Sequence, residues 1–109
     1  MVSERELKVI VVPRVQDRID DHARWWRKHR SGARTSFGAA LLATYESIKR
    51  APKLGVEHRI DGRELEIWTS QLATGHVLYF TIVSTPPQPA YILIVGVKGP
   101  GEAEPFMSA

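Results

Sequence analysis

The sequence predicts an α+β fold of order β-α-α-β-β-β-β, with an N-terminal strand and an antiparallel helical hairpin packed on a curled antiparallel sheet. Three observations predict it. Apolar residues recur at helical spacing between Pro13 and Ala51, the period changes to two from Val56 onward, and two compact apolar runs, Leu7–Val12 and Tyr91–Lys98, bracket the chain.

Taken in order, Leu7–Val12 is β-branched, closed by Pro13, and expected to be a strand buried on both faces. Val15, Ile19, Ala23 and Trp26 fall on one side of a first helix that runs to about Arg30, where Ser31-Gly32 breaks it; Asp17, Asp20 and Asp21 are expected in its early turns. Phe37, Ala40, Leu41, Thr44, Ile48 and Ala51 form the stripe of a second helix, stopped by Pro52 and turned by Gly55. So short a connection predicts that the two helices pack against each other.

From Val56 the chain alternates. Asp61-Gly62 is a two-residue hairpin signal that pairs Ile60 with Arg63, Arg59 with Glu64, His58 with Leu65 and Val56 with Ile67. His76–Val83 is the next strand, a Pro-rich loop follows, and Tyr91–Lys98 reads as a central strand covered on both sides. The whole of 1–109 forms one domain, with 1–6 and 99–109 expected as loose ends.

Composition is that of an ordinary globular protein, 43% hydrophobic and 25% charged, and its zero cysteines exclude disulfides and thiolate zinc sites. No apolar run is long enough to span a bilayer and the first residues lack a signal-peptide pattern, so a cytoplasmic, membrane-independent protein is expected. Net charge is +3, but the excess is uneven: Arg24, Arg27, Lys28, Arg30 and Arg34 cluster around His29 with no acid among them. That cluster suits an acidic protein or a phosphate backbone, or else it is a solvated helix end. Trp25 lies off the first helix's apolar side; packing within the domain is expected, with a role as a binding anchor as the other reading.

Catalytic motifs are few. There is neither a P-loop nor a nucleophile elbow, and His22 and His29, seven residues apart, are two helical turns apart, too far to share one ion. No metal and no cofactor are expected.

The opening strand and Trp-bearing helix, then Ala33, Phe37, Leu41 and Ile48, the Pro52-x-x-Gly55 exit, the Arg63-x-Leu65-x-Ile67 strand and two closing strands resemble the RelE/ParE superfamily of bacterial type II toxins. The resemblance covers about residues 7–98, and the long hairpin is closer to the ParE branch. It implies a toxin of a toxin-antitoxin system that stabilises a plasmid or chromosome, held by a cognate antitoxin whose acidic, amphipathic segment winds over it. It further implies growth inhibition by binding DNA gyrase (ParE-like), or ribosome-dependent cleavage of mRNA (RelE-like); a non-toxic protein-binding relative is the third reading. RelE-type cleavage is metal-free phosphoryl transfer and needs cations and a proton carrier. Here the penultimate strand reads Gly75-His76-Val77 where that branch has Gly-Tyr-Arg. Lys98 stands alone where it has two cations, and Phe106 cannot transfer a proton. Arg63, His76 and Lys98 are the remaining catalytic candidates; Trp25, Arg24, Arg27, Lys28, Arg30, Arg34 and Phe106 are the candidates for partner binding.

Overall fold

The structure, a computed structural model, describes residues 7–30, 32, 36–50, 56–58 and 67–102. Its elements are β1 (Lys8–Val11), α1 (Pro13–His29), α2 (Phe37–Arg50), β2 (Val56–His58), β3 (Ile67–Gln71), β4 (Val77–Val83) and β5 (Tyr91–Lys98). The expected element order holds.

Pro13 opens α1 at the position where a missing N–H costs nothing, and Arg27, Lys28 and His29 close it where cations meet the negative end of the dipole. No acid lies in its first turn, because the helix starts early enough to carry Asp17, Asp20 and Asp21 beyond it. Ser36 caps α2, its hydroxyl accepting the Ala39 N–H at 3.1 Å. Within α2, Thr44 is buried without cost because its hydroxyl donates back to the Ala40 carbonyl at 3.0 Å.

The sheet runs β1-β5-β4-β3-β2. Pairing from β2 to β5 is antiparallel throughout, as expected for residues 56–98, while the N-terminal strand is not merely packed on that sheet but joins β5 in parallel, so the sheet as a whole is mixed. The reason lies in the connection: β1 reaches β5 only through all the intervening chain, and nothing obliges it to reverse. As the outermost strand, β1 also alternates exposed and half-buried, which corrects the expected burial on both faces. β5 does lie inside the sheet, between β1 and β4.

The β2–β3 register differs from the expectation by two residues: His58 pairs with Ile67 and Val56 with Thr69. An even slip preserves side-chain parity, which is why the apolar pattern alone did not discriminate between the two registers, and the expected loop at Asp61-Gly62 lies outside the described residues. The predicted pairs of Arg59 with Glu64 and Ile60 with Arg63 lie outside the described residues.

Both helices cover one face of the sheet. Val15, Ile19, Phe37, Ala40 and Ile48 pack there with Leu72, Leu78, Phe80, Ile92, Ile94 and Val97. The spacing of the last three is odd, and a bulge explains it: Tyr79 faces Gly96 while Phe80 faces Ile94, so Val95 is the extra residue that brings Val97 back inward. β3 and β4 are joined at Leu72–His76, where Gly75 sits at φ +94°, a conformation other residues adopt at a cost, and the Leu72 N–H donates to the His76 carbonyl at 2.7 Å. Residues 99–102, expected with the loose end, form a turn closed by the Glu102 N–H on the Gly99 carbonyl at 3.1 Å.

Candidate functional site

The turn after β5 faces α1 across a cleft of about 470 Å³. His76 forms its inner wall. It immediately precedes β4 and alternates with Leu78 and Phe80, so its ring points to the helix side, where it is 1% exposed. Three rings meet it edge-on: Phe37 at 4.6 Å, His22 at 5.0 Å and Trp26 at 5.5 Å between centroids. Its Nδ1 lies 2.7 Å from the Thr74 hydroxyl. Burial, reinforced by the neighbouring His22 and opposed by Glu102, pushes the His76 pKa down to about 4. The imidazole is therefore neutral at pH 7.

Glu102 closes the cleft on the other side. Its carboxylate accepts the Gly99 N–H at 2.6 Å, meets His22 Nε2 at 3.2 Å and reaches Arg18 at 3.5 Å. The Gly99 amide holds its pKa below the ordinary value against partial burial, with His22, Arg18 and His76 helping. A Cβ at Gly99 would stand 2.8 Å from His22 Cε1, so a side chain there would have to displace that ring. The result is a clasp tying the turn to α1.

The outer end is built by the last turns of α1. Trp25 is 50% exposed and stacks on His29 at 4.5 Å, its ring also lining the cleft. That corrects the expectation of burial: Trp25 lies off the side of α1 that carries Val15, Ile19 and Trp26 to the core, and it borders the cleft instead. Arg30 places its guanidinium 6.0 Å from the Trp26 ring centre.

The catalytic candidates are not gathered here. His76 faces the helices, whereas Lys98 pairs with Val77 and belongs to the opposite face of the sheet. Arg63 lies outside the described residues. Of the partner-binding candidates, Arg24 is paired with Asp21, Arg27 and Lys28 are exposed with no carboxylate partner among the described residues, and Arg30 lines the cleft. Arg34 and Phe106 lie outside the described residues.

Sequence reasoning missed the contact of His22 with His76 and the role of Glu102. Part of the signal was present, since His22 falls between Ile19 and Trp26 on the inward side of α1. Its partners, however, come from 54 and 80 positions further on, which no local pattern encodes. No group of three metal-ligating side chains occurs among the described residues, and no helix there is long and apolar enough to cross a membrane. Compared with family models, with curated proteins and with solved structures, the chain finds no match in any of the three.

Proposed function

We propose that this protein is a binding toxin of the ParE-like kind, which arrests growth by occupying an essential bacterial enzyme, DNA gyrase in the first instance, and is silenced by a cognate antitoxin. The observation that carries the reading is the division between His76 and Lys98. One is buried and neutral on the helix side, the other lies across the sheet, and a phosphoryl-transfer site needs its cation and its proton carrier on the same phosphate. Further support comes from the element order. The outer surface of α1 supplies a gripping face instead: Arg27 and Lys28 without carboxylate partners among the described residues, beside a half-exposed Trp25. Cations at such a rim speed encounter with an acidic partner, and an indole anchors it.

Induction in a bacterial host without antitoxin tests this. Growth stops, plasmid supercoiling falls and transcripts stay intact; the Lys98→Ala variant remains toxic, while a combined Arg27→Ala, Lys28→Ala variant loses most of the effect. Codon-spaced cuts in primer-extension mapping would transfer the reading to the ribosome, and unimpaired growth would leave a non-toxic binding module.

A further inference from the structure

We propose that the cleft between α1 and the Gly99–Glu102 turn binds a nucleotide, a planar base carrying a phosphate. Its volume of about 470 Å³ falls within the roughly 300–1,000 Å³ of small-molecule sites. Two indoles, Trp25 and Trp26, and the His76 imidazole line it. His29 covers one side of the Trp25 ring and is not itself on the cleft wall, so the indole is braced from behind and offers its remaining surface to a flat ring.

Charge then selects among flat ligands. The carboxylate of Glu102 is engaged by the Gly99 amide, His22 and Arg18, and that of Asp21 by Arg24. Arg30 alone on this wall has no carboxylate partner among the described residues, and its planar fork suits a phosphate. An aromatic cation would meet an uncompensated guanidinium, and a purely apolar ring would leave that guanidinium unused. At the inner end the cleft is closed by His76, 1% exposed and held at Nδ1 by Thr74, so its ring serves as the floor of the cleft. Stacking on the exposed indole and an anion contact at Arg30 make up the recognition of a nucleotide.

The inference does not depend on toxicity, since it concerns what the isolated protein binds, and it stands or falls separately. The purified full chain is titrated with AMP, GMP, CMP and UMP by calorimetry, with adenosine and inorganic phosphate as controls and a trinucleotide as a further arm. At least one mononucleotide is expected to saturate with a Kd below about 1 mM, tighter than either control. Arg30→Ala and Trp25→Ala, both at exposed positions and checked for folding by circular dichroism, each weaken it at least tenfold, whereas Trp68→Phe on β3 does not. A trinucleotide binding more than tenfold tighter, with the same dependence on Arg30, assigns the site to an unpaired residue of a strand. The absence of saturable binding to any nucleotide, phosphate binding as tightly as nucleotide, or full affinity in Arg30→Ala each overturns the proposal.

Discussion

The two helices carry the same periodic signal and use it differently. α2 places Phe37, Ala40, Thr44 and Ile48 against the sheet along its whole length, and ends its last buried polar group on its own backbone. α1 buries Val15 and Ile19 in its first half only; further along, His22, Ala23 and Trp26 are half-covered, and Arg24, Trp25, Arg27, Lys28 and His29 face solvent. One helix is therefore a wedge in the core, and the other a post whose free end is available for contacts. An amphipathic stripe shows which side of a helix turns inward, but how far along the helix the core extends depends on the strands beneath it.

The sharpest way to break this comparison is at Phe37. It is 3% exposed and packs both into the core and against the His76 ring, so Phe37→Ala removes a large buried ring and leaves a cavity behind. A loss of about 3–5 kcal/mol is expected in urea unfolding followed by circular dichroism. A loss below about 1 kcal/mol would mean that α2 is not the wedge.

A smaller effect tests where α1 stops packing and its cleft begins. His76 has its folded pKa lowered to about 4 from an ordinary 6.5, so the neutral ring is favoured in the folded chain. Its contribution to stability is fully present above pH 6.5 and is lost as pH falls from there toward 4, because the unfolded chain takes up a proton that the folded chain refuses. The loss is at most about 3 kcal/mol by the usual linkage. Glu102, with its pKa lowered, adds a second loss only below its ordinary 4.5. Thermal melts from pH 7.5 to 4.5 should therefore decline in the parent and be flatter in His76→Gln, which retains a polar partner for Thr74. An equally steep decline in that variant would place the acid sensitivity elsewhere.

The legible part of the fold follows from local rules. The stripe of α2, the inward pair of α1 and the element order all come from spacing, and Pro13 and Gly75 sit where their backbones require. What escaped is non-local. The parallel partnership of β1 joins residues about eighty positions apart, as with Ile10 and Leu93. The β2–β3 slip by two leaves every parity unchanged. The site was less legible than the fold: His76 was singled out for chemistry it does not share with Lys98, and its true neighbours, His22, Trp26 and Phe37, come from both helices.

The smallest expected effect is at Trp25, and it separates packing from function most cleanly. The ring is 50% exposed, and the aromatic partner it has among the described residues, His29, is itself exposed on the same helix. Its removal opens no cavity, and alanine is the better helix former, which offsets the lost stacking. Trp25→Ala should therefore shift stability by no more than about 0.5 kcal/mol. Trp26→Ala, one position along, cuts into a half-buried ring packed on the core and on His76, and should cost several times as much. Side-by-side urea titrations of the two decide the matter: a large loss at Trp25 would make the free end of α1 part of the core, and the division between post and wedge would vanish.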